Sequence, residues 1–186
     1  MLVSVDWRAI AADVPAGSLL RIRADQAARI WSDGADARFA AEFGIPYSDG
    51  LFRMLAGVAD RDPGAPEPAY VEGADPVPFD GPHGPLLQLG LVYGAELYVC
   101  LPDGTIWVAD PDSEHELELI HRDLSSLSYL LYVIKAEKPR PEERPTPNDW
   151  ADVEDLIREA ITPWDDLPFG GEGRFWDRYL DSYPML

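Results

Sequence analysis

Between Leu86 and Lys135, apolar residues first alternate with polar or small ones and then recur at helical spacing. Leu87, Leu89, Leu91 and Tyr93 predict one strand, Leu97, Val99 and Leu101 a second, and Ile106 and Val108 a third. Turn chemistry separates them at Tyr93-Gly94-Ala95 and at Pro102-Asp103-Gly104-Thr105, and Asp-Gly between β-rich runs is a strong hairpin signal. A fourth strand is predicted over Leu117–Ile120, with Leu117 and Leu119 buried and Glu116 and Glu118 facing water. The pattern then changes period. Leu124, Leu127, Leu130, Leu131 and Ile134 form the stripe of a helix capped by Asp123 or Ser125, with Ser125, Ser126, Ser128 and Lys135 expected to face solvent. That helix is expected to cover the strands.

The flanks follow the same logic. Trp7, Ile10 and Val14 predict a helix capped by Asp6, and Ser18–Arg23 a short strand. Asp25 precedes a helical run over Gln26–Trp31, and a further helix over Asp36–Phe43 ends at Gly44, with Pro46 preventing its resumption. Residues 60–85 form a Pro/Gly-rich connection expected to hold a short edge strand near Val77–Phe79. Residues 136–148 form a polar, Pro-rich connection. Beyond it Trp150, Val153, Leu156, Ile157 and Ile161 predict a helix capped by Asn148 or Asp149, and Phe175, Trp176, Tyr179, Leu180 and Tyr183 predict a last one. A single α+β domain over 1–186 is expected, since domains run to roughly 100–200 residues.

Charge changes the picture more than composition does. Asp and Glu number 34 against 15 Lys and Arg, a formal charge of −19. Such a chain repels phosphate backbones, and its few cations, Lys135, Lys138, Arg140 and Arg144, are diluted by Glu137, Glu142 and Glu143. Direct nucleic-acid binding is therefore disfavoured, and a basic partner is favoured. The bland alternative is an acidic surface that serves solubility or adaptation to salt. No run of ~20 apolar residues could span a bilayer. With a single cysteine and no signal-peptide pattern at the N-terminus, a cytoplasmic protein is expected.

Candidate chemistry is sparse. Cys100 lies mid-strand, where a small buried hydrophobe is the ordinary explanation. His83, His115 and His121 lack the i, i+4 spacing of a helical metal site and are expected in surface loops. The acidic run Asp110-Pro111-Asp112-Ser113-Glu114 has His115 where a calcium loop needs glycine, so a solvated loop is expected. Trp164-Asp165-Asp166 carries a second carboxylate pair, read likewise for cation binding or acid–base work. Gly170-Gly171-Glu172-Gly173 lacks the ending of a phosphate-binding loop.

The order of segments resembles the SUKH superfamily of bacterial immunity proteins, the Smi1/Knr4-like fold, and within it the SUKH-4 type. The likeness is carried by DARFAAEFGIP (Asp36–Pro46), by the strand run LLQLGLVYGAELYVCLPDGTIWVAD, by IHRDLSSLSYLLYVI (Ile120–Ile134), and by WADVEDLIREAITPWD and RFWDRYLDSY at the C-terminal end. An asparagine usual before the Ser-Leu pair is replaced by Asp123-Leu124, and the 60–85 loop is long. The resemblance implies an α+β scaffold with one mixed or antiparallel central sheet of about four to six strands packed with helices. It implies no catalytic residues, metal or cofactor. Its implied partner is a cognate protein toxin, a nuclease or nucleic-acid deaminase with a basic surface, neutralised by occlusion. The expected contact surface is the acidic strand face and its loops: Asp103, Asp110, Asp112, Glu114, Glu116 and Glu118. A regulatory or scaffold module is the alternative, and a small metal-dependent hydrolase using the Asp110–Glu114 loop a third. The oligomeric state is left open.

Overall fold

A computed structural model describes residues 1–73, 75–111, 116–139 and 145–182. The chain begins with α1 (Trp7–Asp13), whose cap Asp6 accepts the N–H groups of Arg8 and Ala9. It continues through β1 (Leu19–Ile22), α2 (Ala24–Ile30), α3 (Gly34–Glu42) and β2 (Ile45–Pro46). Gly44 ends α3 at φ 74°, and a Cβ there would collide with the backbone of Leu20, so only glycine fits. β1 pairs antiparallel with β2 on one side and with β4 (Ala59–Asp60) on the other, a small three-stranded sheet beyond the single sheet expected.

The main sheet is mixed and, among the described residues, has seven strands. Its order is β10-β9-β8-β7-β3-β5, with β6 also on β7. The ranges are β3 (Phe52–Leu55), β5 (Tyr70–Val71), β6 (Phe79–Gly81), β7 (Gly84–Val92), β8 (Ala95–Cys100), β9 (Ile106–Ala109) and β10 (Glu118–His121). Among the described residues only β3 and β5 pair in parallel; the other neighbours are antiparallel. Tyr93 and Gly94, with φ of 49° and 85°, make the tight turn between β7 and β8. The short edge strand expected near Val77–Phe79 lies two residues further on as β6, where Phe79 pairs with Leu86.

α4 (Leu124–Glu137), α5 (Pro147–Ile161) and α6 (Phe175–Ser182) complete the fold. Asp123 caps α4 by accepting the Ser126 N–H. Thr146, not Asn148 or Asp149, caps α5; Asp149 sits three residues on and returns the bond in a capping box, with Pro147 at the first helical position. Two further expectations are corrected. Ser125, Ser126 and Ser128 are buried, because α4 is packed on most of its circumference and each hydroxyl finds a partner. On β10 it is Glu118 and Ile120 that are buried, while Leu117 and Leu119 lie on the opposite side. Arg174 and the Phe175 N–H meet the Glu118 carboxylate there, which lets an acid occupy the helix-covered side.

One hydrophobic cluster runs from Val3 to Leu180 and takes in residues of all six helices together with one face of the main sheet (Phe52, Leu89, Leu97, Val99, Ile106, Val108). The other face carries a separate cluster of Leu86, Tyr98, Cys100 and Trp107, with Ala109, Leu117 and Leu119 against it. No helical residue belongs to this second cluster among the described residues. None of the helices among them is long and apolar enough to cross a membrane.

Candidate functional site

The hairpin turns and strand ends scatter the expected acidic residues rather than assembling them. Asp103 lies in the turn between β8 and β9, where it accepts the N–H and the hydroxyl of Thr105. Those bonds hold its carboxyl below the usual range although its partial burial pushes the other way. Asp110, just past β9, is bound by Arg178 of α6 at 2.7 Å. Glu116 is exposed. Asp112 and Glu114, with His115, lie outside the described residues. Glu118 is 8% exposed, 3.1 Å from Arg174 Nε, and accepts the Phe175 N–H at 3.0 Å. Its carboxylate secures the start of α6 and is not presented to a partner.

The largest departure from expectation is His121. It is fully buried at the end of β10, not in a surface loop. Its Nε2 accepts the indole N–H of Trp176 at 3.0 Å, so Nδ1 carries the proton toward Ser126 Oγ at 2.8 Å. Ser126 in turn donates to Asp165 at 2.8 Å, and Asp165 also accepts the backbone N–H groups of Arg122 and Leu167. Burial lowers the His121 pKa, against the pull of the Asp165 hydrogen bond and charge. Burial alone would raise Asp165, but bonds from His121, the Arg122 N–H and Ser126 outweigh it and bring it down to about 2. The residue types are those of a hydrolase triad, yet the order is wrong. In a triad the imidazole stands between serine and acid, one ring nitrogen to each. Here a single ring nitrogen, Nδ1, faces both Ser126 Oγ at 2.8 Å and Asp165 at 3.5 Å, Trp176 occupies the second nitrogen, and Ser126, His121 and Asp165 are all 0% exposed. The cluster ties β10, the start of α4 and the α5–α6 connection together. Its sequence signal was three serines inside a leucine-rich helix, which a purely periodic reading assigns to water.

Cys100 is buried in the second cluster, and burial pushes its thiol pKa up, which makes it a poor nucleophile. Gly170–Gly173 borders an open groove of about 660 Å³ that also presents Glu172, Asp177 and Asp181, an unfavourable lining for phosphate. Arg158 in that groove is already engaged by Glu154 and Asp177, each at 2.7 Å. No group of three or more His, Cys, Asp or Glu among the described residues could hold a metal ion.

What remains is the helix-free side of the main sheet. Tyr98 donates its hydroxyl to Glu96 at 2.6 Å, and the Phe79 ring meets Tyr98 edge-on at 5.1 Å. The phenol is pushed above its ordinary pKa, by burial first and then by Glu96. Trp107 donates its indole N–H to Thr105, which donates to Asp103, and the His83 ring lies against Trp107 at 5.1 Å. Two aromatic pairs are thus each anchored by a carboxylate. Phe79 on this face is 42% exposed, and Val77, two residues before it in the chain, is 80% exposed.

The whole is an α+β scaffold with one sheet face packed by helices and, on the other, buried aromatics tied to carboxylates. The family model of the SUKH-4 immunity proteins matches residues 5–182, and the chain belongs to that family. Neither the search of curated proteins nor that of solved structures returned a match. Family membership bears out the resemblance drawn above. It implies toxin immunity, a non-enzymatic role and a cognate toxin as partner.

Proposed function

We propose that this chain neutralises a toxic nuclease or nucleic-acid deaminase by binding its basic substrate surface and occluding it in the cytoplasm. The observation that supports this most is the family match over residues 5–182, read together with a formal charge of −19. A toxin that grips phosphate must present Lys and Arg, and an acidic protein steers toward the same surface. Asp103, Asp112, Glu114 and Glu116 are the carboxylates proposed to take part, and Asp110 and Glu118 are left out because Arg178 and Arg174 already engage them.

The test is co-expression with the toxin encoded beside this chain, paired with a binding titration of purified proteins over a range of salt. Protection of the cells, binding, and an affinity that falls with added salt are expected. A chain that neither binds nor protects would sink the proposal. Binding that leaves substrate access to the toxin open would refute occlusion.

A further inference from the structure

We infer that the toxin docks on the helix-free face of the main sheet, with the exposed Phe79 and His83 of the β6–β7 hairpin, which lie against the buried Tyr98 and Trp107 rings, at the centre and carboxylates at the rim. The occupant is a segment of the toxin's surface bearing exposed Arg or Lys. This rests on the function proposed above and adds where the contact lies.

Three observations converge. First, alternation along the strands puts Tyr98, Trp107, Leu86 and Cys100 in a cluster of their own, away from the main core. All four are buried, so they form a packed floor against which the hairpin's exposed rings, Phe79 and His83, lie. Aromatic anchors on such a rigid support carry interface energy. Second, the apolar surface left open there is contiguous in sequence: Val77 is 80% and Phe79 42% exposed, and His83 is exposed on the same hairpin. A solvent-facing valine and phenylalanine in a proline-flanked segment contribute little to the core, and ring faces attract guanidinium and ammonium groups. Third, the rings are tied to acids. Glu96 holds the Tyr98 hydroxyl, and Asp103 holds Thr105 and through it Trp107. A cation settling over the exposed Phe79 ring, which packs against Tyr98, therefore lies in the same patch as the exposed carboxylates Glu96 and Asp103. That complementarity selects a basic partner over a second copy of this acidic chain, which would bring like charges together.

The experiment uses the full chain and a catalytically inactive form of the toxin encoded beside it. Titrations compare the wild type, the double variant Val77→Ser/Phe79→Ser, and a control, Asp152→Lys/Asp155→Lys, on exposed positions of α5. Both sheet-face side chains are solvent-facing, so thermal melts should confirm that the variant folds. Hydrogen exchange on wild-type protein supplies a readout that needs no variant. Binding weakened roughly 30-fold or more by the sheet-face change, a near-unchanged control, and toxin-induced protection over 79–84 and 95–98 are expected. Wild-type binding with an unaffected sheet-face variant, or protection confined to the helices, would overturn this inference and leave the immunity function standing. A wild type that fails to bind and fails to protect counts against the function itself. Sedimentation showing a dimer that Val77→Ser/Phe79→Ser dissociates would assign the face to a second copy and overturn the inference too.

Discussion

Replacing Asp165 tests the central structural claim, that a buried Ser-His-Asp cluster is a clamp. Asp165 is 0% exposed and accepts Ser126 Oγ at 2.8 Å, the Arg122 N–H at 2.9 Å and the Leu167 N–H at 3.2 Å. Asp165→Asn keeps the shape but leaves one acceptor. If its oxygen stays toward Ser126 and Arg122, its amide nitrogen faces the Leu167 N–H, donor against donor. The cost is one charge-assisted bond, about 2 kcal/mol. Asp165→Ala strands all three donors and opens a void, about 3–5 kcal/mol. Against a total stability of roughly 5–15 kcal/mol, the alanine variant should be close to unfolding. Urea denaturation at pH 7.5, followed by tryptophan fluorescence, measures both. An asparagine variant within about 0.5 kcal/mol of wild type, or an alanine variant no worse than it, would refute the assignment.

The same cluster sets the response to acid. His121 is held neutral, with its pKa below the ordinary 6.5, while an unfolded histidine takes up a proton near that value. Its contribution is therefore complete above pH 6.5 and is lost as pH falls below it, at up to about 1.36 kcal/mol per unit. Asp165 behaves as a depressed carboxylate. Its stabilisation is present above 3.8 and disappears as pH falls toward about 2. Two acid phases are expected in urea titrations of the wild type; His121→Gln should remove the upper one and, because His121 helps hold the Asp165 carboxyl down, move the lower one to higher pH. A wild-type stability that is flat from pH 7 to 5 would contradict the buried neutral imidazole.

Three further outcomes follow from single contacts. Long-range ¹⁵N spectra should show His121 as the Nδ1–H tautomer, because Nε2 accepts from Trp176; the opposite tautomer would invert the network. Gly44→Ala should cost at least about 2 kcal/mol in thermal or urea unfolding, since φ 74° is strained for alanine and its methyl group meets the Leu20 backbone. A neutral effect there would mean that the α3–β2 corner relaxes freely. Glu118→Ala should cost about 3 kcal/mol by removing the acceptor of Arg174 and the Phe175 N–H, and limited proteolysis should find α6 released first. Cleavage elsewhere would show that α6 is held mainly by its apolar side chains.

The strands and helices were largely legible because their signals are local: alternation, Asp-Gly and Tyr-Gly turns, and a glycine-proline stop after α3. What escaped was which side of each element would be covered, and that depends on partners far along the chain. A Leu-Glu alternation cannot say that the glutamate side of β10 will be roofed by α6, because Arg174, which makes that tolerable, lies 56 residues away. The serines of α4 are likewise paid for by Gly44, His121 and Asp165, none of which is visible in a helical wheel. The same reasoning bears on the contact surface. Reading Leu117 and Leu119 as core made the glutamates between them look like the exposed face. With Glu118 turned to the helices, the two leucines join Tyr98 and Trp107 on the side without helices. A sheet that spends apolar and aromatic side chains on a face no helix covers has either a hairpin or a partner to cover it. The β6–β7 hairpin is that cover: Phe79 packs edge-on against Tyr98 and His83 against Trp107, so Leu86, Tyr98, Cys100 and Trp107 are buried while Phe79 itself stays 42% exposed.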